Sequence, residues 1–267
     1  MLNNITMGQY YPVESKVHRL DPRIKLILTI VFIVAVFLAK TFVGYALLLI
    51  FVYCAARMAN VPFKMLLRGL KPLRLILILT FLLNLFFTTG ETVWVEFWII
   101  RITKEGFLQA LFYSLRLAFL VVGTSLLTLT TSPVALSDAI EILLSPLKKI
   151  HFPAHELAMM MTIALRFIPT LLEETDKIMK AQMARGADFE SGNLISRAKA
   201  MVPLLVPLFV SAFRRASDLA MAMESRCYHG GEGRTRLRVL KLTRNDGIAC
   251  LVMAGLLALI ILERNLL

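Results

Sequence analysis

Two arginines lie in short motifs that are typical of the C-terminal ends of helices. Ala184-Arg185-Gly186 closes one helical pattern, and Ser225-Arg226-Cys227 closes a second, shortly before Gly230 and Gly231. An arginine at this position complements the helix dipole, and a following glycine supplies a left-handed cap. These local roles explain the motif without a contact to another protein. A guanidinium at the tip of a rigid helix can also bind a carboxylate of another protein through two parallel hydrogen bonds. The residues alone leave both interpretations open.

The helices that must carry these motifs show two different repeats. Beyond Pro169, residues such as Leu172 and Met179 recur at helical spacing while charged residues occupy the other faces, which predicts an amphipathic helix. The second helix repeats alternately every four and three residues, a heptad seam suited to helix packing. We therefore expect two long helices that pack as a coupled pair. The seam consists of Phe209, Phe213, Ala216, Ala220, Met223 and Cys227.

Three consecutive methionines, Met159, Met160 and Met161, lie on the apolar run 154–172. Methionines in such a run usually belong to a protein core. Their unbranched, polarisable side chains can also repack against unlike partners, so this run is a candidate contact surface.

The composition is that of a membrane protein. The 267 residues are 58% hydrophobic and 18% charged with a mean hydropathy of +0.72, whereas soluble domains hold about 45–50% apolar and about 25% charged residues. The net charge of +12 must gather in a few polar segments, which we expect to face water, anionic lipid headgroups or acidic proteins. Long uncharged runs argue against a nucleic-acid-binding protein.

Five segments approach the length of about 20 apolar residues that a membrane span requires. They predict an all-α integral membrane protein with about five transmembrane helices and long cytoplasmic helices. We expect a membrane domain of about four spans over 1–131, a cytoplasmic or interfacial domain over 132–245, and a C-terminal transmembrane helix over 246–267. The five segments are 24–39, 42–58, 73–89, 107–131 and 248–262.

The distribution of lysine and arginine predicts the orientation in the membrane. Three occur in 1–23, five in 57–74 and sixteen in 132–245, against four on the alternate side. The positive-inside rule therefore places the N-terminus and 132–245 in the cytoplasm and the C-terminus outside. Prolines interrupt the apolar runs of 132–245, so we expect these runs to lie at the membrane interface or to pack against each other beneath the bilayer. A re-entrant pair of spans is the alternative.

The residue types that support catalysis or metal binding do not form a recognisable pattern. The three cysteines are far apart, no GxxxxGK[ST] phosphate loop occurs, and Pro153 separates His151 from His155. We therefore expect no catalytic residue, no metal site and no cofactor bound by this chain.

Two features of the membrane region allow a local prediction. The stretch 91–101 mixes aromatic and polar residues around Trp94, which is typical of an interfacial aromatic belt or a short hairpin. Arg116 lies within the predicted span 107–131, where a charge is costly. Because no intramembrane acid completes a proton relay, we favour structural pairing for Arg116.

The order and spacing of several motifs resemble the T component, the transmembrane energy-coupling subunit, of energy-coupling factor vitamin and metal transporters. The resemblance covers nearly the whole chain and includes both arginine motifs. The other matching residues are Ser15, His18-Arg19-Leu20-Asp21-Pro22-Arg23, Lys25, Arg166-Phe167-Ile168-Pro169, Ala181-Gln182, Pro207 and Ala222-Met223-Glu224.

The resemblance implies that the two long helices are coupling helices and that Arg185 and Arg226 each engage one of two ATP-binding subunits, which use ATP and magnesium. It also implies a separate substrate-binding membrane subunit, with Met159, Met160 and Met161 as its candidate contact. The second motif departs from the family pattern at Ser225 and Cys227, so we expect Gly230 and Gly231 to reverse the chain there.

Two other classes of function remain as alternatives to a non-catalytic coupling subunit. A self-sufficient secondary transporter would show internal repeats or broken spans at matching positions. A membrane enzyme acting on lipid or prenyl substrates would show clustered acids or histidines near the interface. The sequence contains neither signal.

Overall fold

The computed structural model describes residues 10–88, 93–97, 100–150, 152–189, 193–230 and 240–266. Within these ranges the regular structure is helical apart from one antiparallel hairpin, in which Val93 pairs with Thr103 and Phe97 with Ile100. Of the two alternatives for the stretch around Trp94, an aromatic belt or a short hairpin, the structure contains the hairpin. The elements are α1 (Pro22–Leu38), α2 (Phe42–Met58), α3 (Phe63–Arg68), α4 (Arg74–Phe87), β1 (Val93–Phe97), β2 (Ile100–Thr103), α5 (Lys104–Thr130), α6 (Pro133–Leu144), a 3-10 helix (Ser145–Ile150), α7 (Ala154–Ala184), α8 (Leu194–Glu224) and α9 (Arg244–Leu266).

Four of the described helices are long and apolar enough to cross a membrane. They are α5, α7, α9 and the segment Lys199–Glu224 of α8, while α2 and α4 are apolar but shorter. The prediction of an all-α, multi-pass membrane protein is confirmed. By length and composition, α7 and α8 also qualify as spans, although the sequence assigned them to the interfacial region.

The chain divides into two compact units, one of Gly8–Ala139 with Val239–Leu267 and the other of Met1–Met7 with Ile140–Arg238. In the first unit α5 and α9 both pack against α1 and α2. Residues such as Val36 and Ile260 are fully buried there. A Cβ atom on Gly123 of α5 would lie 2.3 Å from the Phe32 ring, so this glycine permits the close approach of α1 and α5.

A buried carboxylate joins the beginnings of α1 and α9. Asp246 is 2% exposed, and its Oδ1 accepts a hydrogen bond of 2.8 Å from the backbone N–H of Asp21. Its Oδ2 accepts two more from Thr243, from the backbone N–H at 2.6 Å and from the hydroxyl at 2.8 Å. One side chain therefore satisfies donors at the N-terminal ends of two helices that are distant in sequence.

The residues that resemble the family's N-terminal motif form the other half of this polar cluster. Asp21 caps α1 by accepting from the Arg23 N–H, and Arg23 Nη2 lies 2.7 Å from Asp21 Oδ2. The hydrogen bond from Arg23 holds the pKa of Asp21 below its usual value. The Lys25 ammonium donates to the carbonyls of His18 at 3.0 Å and Thr130 at 2.9 Å, which ties the chain before α1 to the end of α5.

Arg116 pairs within the helix bundle, as expected. Its Nη2 donates at 3.4 Å to the carbonyl of Ala39, the residue that ends α1. The guanidinium carbon lies 5.7 Å from the centre of the Phe37 ring and 5.5 Å from that of Tyr113. The charge is therefore stabilised by a helix C-terminus and two aromatic rings, which is a structural role.

In the second unit, α7 and α8 are single helices of 31 residues each. Pro169 lies inside α7, and Pro203 and Pro207 lie inside α8. The interruption expected at Pro169 is wrong, because the apolar run and the amphipathic helix beyond it are one continuous element. An internal proline removes one backbone donor and can bend a helix without ending it.

The face of α8 that meets α7 is not the predicted heptad seam. Phe209 and Phe213 of that seam are 61% and 73% exposed. Ser211 and Arg215, four residues apart on another stripe of α8, bind Glu174 of α7 instead. The heptad repeat therefore describes an apolar surface, and large surfaces of this kind are covered by lipid or by another protein.

Candidate docking site at two helix ends

Two backbone hydrogen bonds close the C-terminal end of α7. The N–H of Gly186 donates to Met183 at 2.9 Å, and that of Ala187 donates to Gln182 at 3.0 Å. Gly186 has a φ of 89°, a left-handed conformation that glycine adopts without steric cost. This Schellman motif satisfies carbonyls that have no partner within the helix. Arg185 is thereby held at the tip of α7 with an exposed side chain.

The end of α8 has the same hydrogen-bond pattern. The N–H of Cys227 donates to Glu224 at 2.9 Å, that of Tyr228 donates to Met223 at 3.1 Å, and Cys227 has a φ of 56°. The expectation that the glycines make the reversal is corrected, because Cys227 itself takes the position of Gly186. Gly230 also has a positive φ, of 97°, and Gly231 lies outside the described residues.

The two motifs therefore present their arginines in the same way. Ala184, Arg185 and Gly186 are exposed, as are Ser225, Arg226 and Cys227. Among the residues that the structure describes, neither guanidinium forms a hydrogen bond or an ion pair. Each guanidinium lies beside the negative end of a helix dipole. It can donate two parallel hydrogen bonds to a planar anionic group such as a carboxylate.

A polar contact between α7 and α8 sets the position of both ends. The Glu174 carboxylate accepts hydrogen bonds from the Ser211 hydroxyl and, at 2.7 Å, from the Arg215 guanidinium. Arg185 follows Glu174 by eleven residues, and Arg226 follows Arg215 by the same number. At a rise of 1.5 Å per residue, each of these two arginines lies about 16 Å along its helix from this contact. The segment from Glu174 to Arg185 and the segment from Arg215 to Arg226 are therefore equally long.

Gly186→Ala and Cys227→Gly should change stability in opposite directions. A Cβ atom on Gly186 would meet nothing within 4 Å, but alanine would have to adopt the left-handed conformation. We expect Gly186→Ala to lower the free energy of unfolding by about 1 kcal/mol and Cys227→Gly to raise it by up to about 1 kcal/mol. Thermal unfolding in detergent, followed by far-UV circular dichroism, measures both changes.

The control for these variants is Gly255→Ala. Gly255 lies inside α9, has free space around its Cβ position, and has no positive φ, so alanine should not destabilise the protein there. A loss of stability in Cys227→Gly would contradict the strained closure at the end of α8.

The methionine run and His155 lie in the first half of α7. Met160 and Met161 are exposed, and Met159 is half-buried, so two of the three candidate contact residues are accessible. His155 Nδ1 lies 2.9 Å from Glu141 Oε1, and His151 lies outside the described residues. In the described ranges, no three side chains of the metal-ligating types come together.

Comparison with known proteins decides the family. Residues 13–237 match the family described as CbiQ, cobalt transport protein. The chain belongs to this family. It is 58% identical to the energy-coupling factor transporter transmembrane protein EcfT of Thermosediminibacter oceani over 96% of each chain. It is also 53% identical to that of Clostridium kluyveri, over 99% of this chain and 98% of the relative, and 51% identical to that of Bacillus subtilis, over 96% and 98%.

The resemblance to T components is thereby confirmed. This family member is a transmembrane energy-coupling component of an energy-coupling factor transporter and part of a multi-subunit complex. Its two arginine motifs were apparent from the sequence, whereas the contact of Glu174 with Ser211 and Arg215 was missed. The available signal was the equal spacing of Glu174 and Arg215 from the two arginine motifs.

Proposed function

We propose that this chain transmits ATP-driven movement from two ATP-binding subunits to a separate substrate-binding membrane subunit, which takes up a vitamin or a metal ion. The observation that supports this most is the pair of equivalent helix ends. Each carries an exposed arginine that has no partner among the described residues, and each arginine lies eleven residues beyond the contact between α7 and α8. Two equivalent helix ends are better suited to binding two similar subunits than to binding a single one.

In this proposal Arg185 binds one ATP-binding subunit and Arg226 binds the other. Each guanidinium forms a bidentate pair with a carboxylate in a groove of its partner. Ala184 and Ser225 precede the arginines, and Gly186 and Cys227 turn the chain away so that only the tip enters the groove. The Schellman closures hold the arginine backbones, which makes each tip a rigid contact.

Met160 and Met161, with the half-buried Met159 beside them, contact the substrate-binding subunit in the same scheme. Thioether side chains adapt their shape to unlike surfaces, which would let one coupling component serve different subunits. Movement of α7 would then reach the substrate-binding subunit directly, because one continuous helix carries both Arg185 and the methionines.

The chemistry of ATP belongs to the partners in this proposal. ATP and magnesium are used by the ATP-binding subunits, and this chain supplies no catalytic residue, cofactor or metal site. The N-terminus and the region 132–245, with α7 and α8, lie on the cytoplasmic side. The membrane domain 1–131 precedes this region, and the helix in 246–267 leads to a C-terminus outside.

Purification of the tagged chain from its native membrane in mild detergent tests the proposal. We expect two P-loop ATPases and at least one small membrane protein to copurify in stoichiometric amounts, identified by mass spectrometry. The Arg185→Ala/Arg226→Ala variant should retain the small membrane protein and lose the ATPases. Recovery of the unaltered chain alone would favour a self-sufficient secondary transporter and overturn the coupling role.

A further inference from the structure

The connection between α2 and α4 is a basic surface without acidic residues. Residues 57–74 contain five lysines and arginines and neither aspartate nor glutamate. All five cations are exposed, and none forms an ion pair with a carboxylate in the described part of the chain. The positive charge of these five side chains is therefore not balanced by a carboxylate of the described residues. The five are Arg57, Lys64, Arg68, Lys71 and Arg74.

The short helix α3 places apolar and cationic side chains side by side on its outer face. Leu66 is fully buried and anchors α3 to the core of its unit. Phe63 and Leu67, one turn apart, are 40% and 47% exposed. Lys64 and Arg68, also one turn apart, follow them directly in sequence. Adjacent apolar and basic stripes are typical of helices that lie in the surface of a bilayer.

The packing of α3 sets its depth relative to α5. A Cβ atom on Gly69 would lie 2.6 Å from the Ser125 hydroxyl, so the end of α3 touches α5 at that residue. Ser125 precedes the end of α5 at Thr130 by about 8 Å along the helix axis. The 27 residues of α5 extend about 40 Å, the thickness of a bilayer with its headgroups. With α5 crossing the bilayer, the end of α3 would lie near the level where the hydrocarbon meets the headgroups.

Two aromatic rings mark the same depth. Tyr53, in the last part of α2, lies with its ring centre 6.5 Å from that of Phe63, and both side chains are exposed. The Arg57 guanidinium carbon lies 5.9 Å from the centre of the Tyr53 ring. Tyrosine beside arginine is the arrangement expected at the interface between membrane and water.

We propose that this surface binds the headgroups of anionic phospholipids. The cations meet the lipid phosphates, Arg57 and Arg68 through paired hydrogen bonds and Lys64 as a point charge, while the apolar side chains enter the outer part of the acyl layer. We name it the α3 basic surface. It consists of Tyr53, Arg57, Phe63, Lys64, Leu67 and Arg68.

Quenching of a tryptophan by brominated lipids tests this binding in the full chain. The reporter is Phe63→Trp in a Trp94→Phe/Trp98→Phe background, reconstituted into phosphatidylcholine vesicles. The same minor fraction of lipid is either brominated phosphatidylglycerol or brominated phosphatidylcholine. We expect the anionic lipid to associate at the reporter about threefold or more strongly than the zwitterionic one. High salt should abolish this preference, because it screens exposed charges.

Charge variants of the reporter protein separate the α3 basic surface from a general effect of net charge. Lys64→Gln/Arg68→Gln should reduce the preference to about equal association of the two lipids. Lys40→Gln/Lys104→Gln removes the same charge from exposed residues elsewhere and should leave the preference intact. Equal quenching by both lipids in the protein with the unaltered surface would overturn the proposal. An equal loss of the preference for the anionic lipid in both double variants would also overturn it. Because no ATP-binding subunit is present, the result is independent of the docking of Arg185 and Arg226.

Discussion

The Arg185→Ala/Arg226→Ala variant should lose substrate uptake while the protein stays inserted and folded. Both side chains are exposed and form no hydrogen bond or ion pair with the described residues, so their removal breaks nothing within the chain. At a docked interface each guanidinium would instead be buried against a carboxylate. Truncating one partner of such a pair costs about 2 kcal/mol or more, which is a loss of about 30-fold in affinity per arginine.

ATP-dependent uptake by proteoliposomes that contain the complete complex measures this effect. Each single variant should retain part of the activity, and the double variant should retain less than either. Arg185→Lys/Arg226→Lys separates charge from geometry, because lysine keeps the charge without the bidentate fork, and should recover only part of the uptake. Lys177→Ala/Arg214→Ala removes two exposed cations from the same helices and serves as the matched control. Normal uptake by the double alanine variant would contradict the proposal that Arg185 and Arg226 bind the ATP-binding subunits.

The helix ends could be predicted from the sequence because their information is local. Gly186 after Arg185 is a common C-terminal signal, and the structure places the left-handed residue there. The closure at Cys227 was not expected, since cysteine has a Cβ atom and is uncommon at positive φ. Backbone hydrogen bonds from Cys227 and Tyr228 stabilise that conformation, and they depend on the path of the chain beyond the helix.

The packing partner of α8 could not be predicted from its apolar repeat. In a water-soluble protein such a repeat marks the buried side of a helix, but lipid tails are as apolar as leucine. An apolar stripe on a membrane protein can therefore face lipid or another subunit, and Phe209 and Phe213 are exposed. The polar residues Glu174, Ser211 and Arg215 mark the contact between helices more reliably here, since their hydrogen bonds need defined partners.

The contact between α1 and α9 could not be predicted from the sequence for a different reason. Asp21 and Asp246 are separated by 225 residues, and nothing near Asp246 in the sequence indicates its partner. The motif around Asp21 was recognised by resemblance, without a physical account of why it contains these residues. The structure supplies that account, because Asp21, Arg23 and Lys25 each bind chain from elsewhere in the unit or cap α1.

Asp246→Ala should lower the free energy of unfolding by about 3 kcal/mol. The change leaves three donors without their acceptor, namely the backbone N–H of Asp21 and the N–H and hydroxyl of Thr243. Hydrogen bonds to a charged group contribute about 1.5–3 kcal/mol each. Water can reach the exposed Thr243 but not the buried Asp21, so the expected loss is less than the full sum.

Thermal and denaturant unfolding in detergent, followed by far-UV circular dichroism, would show this loss. Asp246→Asn keeps one carbonyl acceptor but places an amide donor against the other hydrogen-bond donors, so it should fall between alanine and the unaltered protein. The neighbouring Asn245 is exposed, and Asn245→Ala should change the free energy of unfolding by less than about 0.5 kcal/mol. If Asp246→Ala and Asn245→Ala were equally stable, the carboxylate would not be what holds α9 against the beginning of α1. A large difference would instead mean that this carboxylate adds substantially to the apolar packing of α9 against α1 and α2.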